Sequence, residues 1–134
     1  MDFSLDDLNS WSPGKLPGLL GIEITAVDDG LVEARLEIRP DHLAPNGYLH
    51  AATVVGLADT SCGYGTMLAL PEGAAGFTTI ELKTNFIGTA LEGEINCRST
   101  LEHGGKRTQV WDSAVSRQDG KRIALFRCTQ TILY

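Results

Sequence analysis

Apolar and polar residues alternate over residues 19–28, where Ile22, Ile24 and Ala26 share one side, as in a half-buried strand. Asp29-Gly30 supplies a hairpin turn. Over residues 31–38, Val32, Ala34 and Leu36 lie opposite Glu33, Arg35 and Glu37, which predicts the return strand. Between residues 49 and 70 the pattern changes. Ala51, Val54, Val55, Leu57, Ala58, Cys62, Tyr64, Met67 and Leu68 cover nearly every side of a helix. A helix apolar all round is a buried one, here about 30 Å long at 1.5 Å per residue. Gly56, Gly63 and Gly65 weaken it locally and are expected where neighbours pack closely. Pro71-Glu72-Gly73 ends it.

Four strand-like segments follow, at residues 76–87, 93–102, 106–118 and 121–133, with Gly88-Thr89-Ala90, His103-Gly104-Gly105 and Asp119-Gly120 as turns. Before the first strand, residues 6–11 suit a short amphipathic helix, broken by Pro13, Gly14, Pro17 and Gly18. The main order is β-β-α-β-β-β-β. One buried helix against hairpin-linked strands predicts an α+β fold with a mainly antiparallel sheet. The pattern leaves open what covers the sheet face away from the helix.

Composition narrows the class. The chain has 134 residues, suited to one domain spanning residues 1–134, and is 43% apolar and 21% charged. Its formal net charge of −6 argues against nucleic acid or an anionic membrane as the main partner. A polyanionic ligand would need a local basic patch. The opening ten residues are acidic and polar, unlike a signal peptide, and no run of about 18 apolar residues appears. Cys62, Cys97 and Cys128 are odd in number, widely spaced and set in apolar sequence. They are expected as reduced core thiols of a cytoplasmic protein, with neither disulfide nor metal-ligand spacing. No metal site and no resident cofactor is expected.

Two features carry chemistry. Asp59 falls mid-helix with apolar residues on every side. A carboxylate there must be hydrogen-bonded or have its pKa raised, and both prepare a base or nucleophile. The same position also suits a structural Asp bonded to Thr60, Ser61 or nearby backbone. The second feature is the helix start, Asn46-Gly47-Tyr48-Leu49-His50-Ala51-Ala52. Free N–H groups at a helix start polarise an anion or carbonyl oxygen, and small residues at Ala51 and Ala52 admit a substrate, as in an oxyanion hole. An ordinary cap by Asn46 or His50 is the alternative. His50 and Asp59 are nine residues apart, about 13 Å along the axis. One carbonyl carbon cannot touch both, so if both act, one comes from a second copy, as two antiparallel helices of a symmetric dimer allow.

At these residues the chain resembles the hotdog-fold thioesterases of the phenylacetate-pathway (PaaI-like) and 4-hydroxybenzoyl-CoA type. The resemblance runs from about Gly18 to Leu133. It rests on Gly47-Tyr48-Leu49-His50-Ala51-Ala52, similar to the family's G-x-x-H-G-G, on the acidic Asp59 nine residues after the histidine, and on Gly76-Phe77-Thr78-Thr79-Ile80-Glu81-Leu82-Lys83 as the strand after the helix. It implies an antiparallel sheet wrapped around one long helix, and hydrolysis of an acyl-CoA thioester with an aromatic or medium-chain acyl group.

By the same resemblance, Asp59 is nucleophile or general base, the Ala51 N–H polarises the carbonyl, His50 shapes the site, and Thr79 helps hold the attacking water, with Thr78 its neighbour. Gly47 and Ala52 fall beside them on the substrate. The assembly implied is a homodimer or a homotetrameric dimer of dimers, with coenzyme A at a subunit interface. The family's Gly-Gly is Ala51-Ala52 here. The asparagine that many relatives carry six residues before the histidine is Ala44, with Asn46 the nearest asparagine.

Coenzyme A phosphates need cations. The basic turn Gly105-Lys106-Arg107-Thr108 is the leading candidate, with Arg122 and Arg127 behind it. Other readings are an acyl-CoA-binding or regulatory domain, which would not need a carboxylate at position 59, and a hydratase, whose histidine before a Pro-Gly segment is missing here.

Overall fold

The computed structural model describes residues 3–134. Residues 1 and 2, part of the acidic opening, lie outside the described residues. Two short helices open the chain, α1 (Leu5–Ser10) and α2 (Leu16–Leu20). A hairpin follows, β1 (Glu23–Asp28) and β2 (Leu31–Glu37), then a 3₁₀ turn at Pro40–His42 and the long helix α3 (Ala51–Leu68). Four strands complete it: β3 (Gly76–Phe86), β4 (Glu94–Gly104), β5 (Thr108–Arg117) and β6 (Arg122–Leu133). The strands form one six-stranded antiparallel sheet in the order β1-β2-β4-β5-β6-β3. It curls over α3, which touches β2, β4, β5, β6 and β3.

The start of the chain departs from the predicted pattern. Residues 16–20 are helix, and β1 begins at Glu23 rather than near residue 19. Pro17 occupies the first turn of α2, where its missing N–H costs nothing, and Gly21 closes the helix at φ 78. So prolines and glycines that look like breakers frame a five-residue helix. In α1 the Ser4 hydroxyl accepts from the Asp7 N–H at 3.1 Å while Asp7 takes the Ser4 N–H at 2.8 Å, a capping box. Asn9 of α1 then bonds both the N–H and the carbonyl of Ile24, at 2.8 and 3.0 Å, on the outer edge of β1.

The core lies between α3 and the inner sheet face, built from Ile24, Val32, Leu36, Leu57, Ile95, Trp111, Val115 and Phe126. Each helix glycine meets a large neighbour. An added Cβ would sit 2.7 Å from Leu20 at Gly56, 3.3 Å from the Phe77 ring at Gly63, and 2.5 Å from the Trp111 ring at Gly65. The three cysteines are buried and unpaired, and burial raises the Cys62 and Cys97 thiols. The outer sheet face is polar. Arg35 bridges to Glu23 and Glu94 at 3.1 and 2.9 Å, and Arg98 to Glu33 at 3.4 Å.

The expectation that α3 is buried all round is corrected. Leu57, Ala58, Ser61, Cys62 and Gly65 face the sheet, whereas Ala51 and Ala52 are exposed and Val55, Asp59, Thr60 and Met67 only half-buried. The edges of the sheet differ too. Asn9 covers part of β1, but β3 has no partner on its outer side among the described residues. It carries exposed Ile80 (60%), Leu82 (43%) and Phe86 (48%).

Candidate active site

Asp59 stands midway along α3, one helical turn before Gly63, and opens into a cavity of about 250 Å³. Thr79 and Phe77 of β3, Thr60, Tyr64 and Met67 of α3, and Trp11 and Pro17 of the N-terminal segment complete the lining. The Asp59 Oδ1 is buried with no hydrogen-bond partner among the described residues. Burial, with nothing offsetting it, raises the carboxyl above its ordinary value of 3.8. A structural Asp bonded to Thr60 or Ser61 is therefore not what the fold contains: Ser61 reaches instead for the Val32 carbonyl at 3.4 Å. A half-desolvated carboxylate without a partner, facing a cavity, is poised to take a proton or attack an electrophile.

A bulge places Thr79 beside it. The β3–β6 register steps between Thr79 and Glu81, so Ile80 is the extra residue. Thr79 lines the Asp59 cavity and the Thr84 hydroxyl is buried, while Lys83 and Asn85 take the outer face. Without the bulge, residues 79, 81, 83 and 85 would share one face. The Thr79 hydroxyl donates to the Gln130 side-chain carbonyl at 2.6 Å. Thr78, its neighbour, is exposed and pairs with Thr131.

The start of α3 is a separate constellation. His50 is its N-cap: Nδ1 accepts the Ala52 N–H at 2.9 Å, and the His50 carbonyl accepts the Thr53 N–H at 3.0 Å. The Ala51 N–H has no acceptor among the described residues, and Ala51 is exposed. Asn46 closes the preceding turn, its Oδ1 accepting from the Tyr48 N–H at 3.2 Å, and Gly47 adopts φ 88 in that turn. This turn is held by His42, which sequence reasoning passed over. Buried His42 accepts the Arg39 N–H on Nδ1 at 3.1 Å, so Nε2 donates to the Leu20 carbonyl at 2.8 Å, and its own carbonyl accepts the Thr53 hydroxyl at 2.9 Å. Its pKa is lowered, chiefly by burial.

The fold thus joins Asp59 to Thr79 and keeps Asn46, Gly47, His50, Ala51 and Ala52 together elsewhere. With α3 continuous from Ala51, the eight residues to Asp59 span about 12 Å. Among the candidate cations, Lys106 and Arg107 are exposed and have no ion pair among the described residues. They sit on a hairpin closed by the Gly105 N–H donating to the Thr108 carbonyl at 2.9 Å. Arg127 is engaged by both oxygens of Asp112, so its charge is not free for a ligand. Arg122 lines the outer sheet face. The aromatic residues Trp11, Tyr64 and Phe77 line the Asp59 cavity, whereas Tyr48 and Phe86 do not.

A family profile described as the Thioesterase superfamily matches residues 46–124, more than half of the chain, from the turn before α3 into β6. The chain belongs to this superfamily. It is a thioester hydrolase of the hotdog fold, and Asp59 and the start of α3 lie within the matched stretch. Acyl-coenzyme A thioesterase PaaI of Escherichia coli is 30% identical over 109 residues, covering 81% of this chain and 75% of the relative. The 1,4-dihydroxy-2-naphthoyl-CoA hydrolase of Listeria monocytogenes is 29% identical over 110 residues, covering 82% and 89%. A solved structure of a mutant of thioesterase PA1618 from Pseudomonas aeruginosa superposes with a TM-score of 0.94 at 26% identity, covering 99% of this chain and 96% of that one.

Proposed function

We propose that the protein hydrolyses acyl-CoA thioesters to a carboxylic acid and free coenzyme A, at a site that two copies of the chain complete. The unpartnered, partly desolvated Asp59 carboxylate beside Thr79 carries this reading. In the general-base route Asp59 takes a proton from water, and the water oxygen bonds to the thioester carbon. The carbonyl oxygen becomes an oxyanion on the Ala51 N–H of the second copy. Collapse breaks the C–S bond, and the thiolate takes the proton back from Asp59. In the nucleophilic route the carboxylate itself bonds to the carbon, expelling the thiolate, and water then cleaves the mixed anhydride.

Several observations support the remaining parts. The names of the E. coli and Listeria relatives point to acyl-CoA substrates. Coenzyme A here is part of the substrate, not a cofactor. Its phosphates suit the free Lys106 and Arg107, with Gly105 and Thr108 shaping the turn. The acyl group suits the cavity between Trp11, Tyr64, Met67 and Phe77, which fits an aromatic or medium-chain acyl. The bare β3 edge with its exposed apolar residues favours self-association, as a dimer or a dimer of dimers. Ala52 and Gly47, exposed beside Ala51, would then face the substrate. No described helix is long and apolar enough to cross a membrane, and the cytoplasm, where acyl-CoAs are made and used, is the compartment this reading favours.

The test is a panel of aromatic and medium-chain acyl-CoAs assayed by release of free thiol, for wild type and Asp59→Asn. Hydrolysis by wild type and its loss in the variant are expected. Binding without hydrolysis by wild type would make the protein an acyl-CoA-binding module, and equal hydrolysis by both would remove Asp59 from the mechanism.

A further inference from the structure

Gln130 is out of keeping with its surroundings. It lies on β6 among Phe126, Cys128 and Ile132, all in the core, and is itself fully buried. Its side-chain carbonyl accepts the Thr79 hydroxyl at 2.6 Å, while its Nε2 has no partner among the described residues. A buried amide with unmet N–H groups costs stability that an apolar residue of the same size would not. Its neighbour across the ladder, Gln109, is different. There Oε1 accepts from the Trp111 indole and Nε2 donates to the Ala69 carbonyl, both at 2.9 Å, so Gln109 ties the end of α3 to the sheet. Gln130 makes no such tie. Its one side-chain bond among the described residues goes to a residue of the Asp59 cavity, across a register pair of β3 and β6.

From this arrangement we infer that Gln130 is a positioning residue that fixes the direction of the Thr79 hydroxyl. Thr79 has one hydroxyl proton and donates it to Gln130. The oxygen of this exposed residue, which lines the cavity, is then left to act as an acceptor. A water held between Thr79 and Asp59 therefore gives one hydrogen to each. Its lone pair is left for the carbonyl carbon. Released from Gln130, the hydroxyl turns freely and donates to the Asp59 carboxylate or to the water itself, and the water loses its orientation. The inference rests on the hydrolytic reading of the site and adds a residue to it.

A double-mutant cycle tests it, with kcat and KM measured for Gln130→Met, Thr79→Val and the pair, and folding followed by thermal unfolding. Gln130→Met is expected to lower kcat roughly tenfold or more, the scale of a misaligned reactant, with KM little changed. Added to Thr79→Val, it should cost nothing further, because the two act as one unit. Gln130→Glu keeps an acceptor oxygen and should hold kcat within about threefold of wild type; it decides the matter if Gln130→Met does not fold. Losses that multiply in the pair, an unchanged kcat in Gln130→Met, or a large loss in Gln130→Glu would each overturn the role. Asp59→Asn assayed alongside separates the two levels. An inactive Asp59→Asn with a fully active Gln130→Met overturns only the positioning role, whereas a fully active Asp59→Asn overturns the reaction assigned to the site.

Discussion

His50 accepts the Ala52 N–H on its Nδ1 at 2.9 Å, and this bond determines which amide at the start of α3 is left for a ligand. The Ala52 N–H is taken, the Thr53 N–H bonds the His50 carbonyl, and the Ala51 N–H has no acceptor among the described residues. The bond also places the ring proton of neutral His50 on Nε2.

Ala51→Pro therefore isolates the proposed oxyanion donor. Proline lacks the N–H but is accepted at the first helical position. His50, at φ −68 and ψ 135, already has the extended conformation required before proline. The expected result is a fall in kcat of roughly 10²–10³ with helix content and melting temperature nearly unchanged, measured by thiol release and circular dichroism. Full activity would show that another donor holds the oxyanion.

The Asp59 carboxyl should shape both activity and stability. Its folded pKa is raised above 3.8 by burial. Catalysis needs the ionised form, so the acid limb of kcat/KM should have its midpoint above 3.8. As pH rises from 3.8 through the folded pKa, the native state holds the proton longer than the unfolded chain, and stability falls across that window. Above it the full cost of a buried charge remains. Asp59→Asn should thus lose activity by about 10²-fold or more while melting at a higher temperature at pH 7. A lower melting temperature would mean that the carboxylate stabilises the fold.

His42 has the opposite pH signature. Burial, the leading cause, lowers its pKa below 6.5. As pH falls past 6.5 the unfolded chain takes up a proton before the native state does, so stability is full above that pH and declines below it. Melting temperatures between pH 7.5 and 5.5 should fall in wild type and fall less in His42→Gln. Equal slopes would show that His42 titrates alike in both states.

How much of this could be read from the chain depends on how local the signal is. Asp59 is conspicuous because its apolar neighbours on α3 are adjacent in sequence. Ala51 and His50 are conspicuous because a helix start is defined by a few consecutive residues. The short α2 was missed, since five residues are too few to show a helical period and Pro17 and Gly18 mimic a break. The partly open side of α3 was missed because apolar character all round does not say whether a second copy covers one side. Gln130 could not be found at all: its partner Thr79 is 51 residues away, and the bulge at Ile80 that presents Thr79 leaves no mark in a period-two pattern. Trp11 and Pro17 reach the cavity only through the fold of the N-terminal segment.

The central claim is that Asp59 of one copy works with the α3 start of another, and subunit complementation tests it most directly. Asp59→Asn and Ala51→Pro chains, each inactive alone, are unfolded together, refolded as a mixture and assayed on the acyl-CoA that wild type hydrolyses best. A mixed dimer has one site with both lesions and one with neither. Random pairing should therefore restore on the order of a quarter of wild-type activity, as the symmetry of a two-fold dimer requires. A mixture that forms dimers yet stays as inactive as its parents would place Asp59 and the oxyanion donor in the same chain and contradict the account.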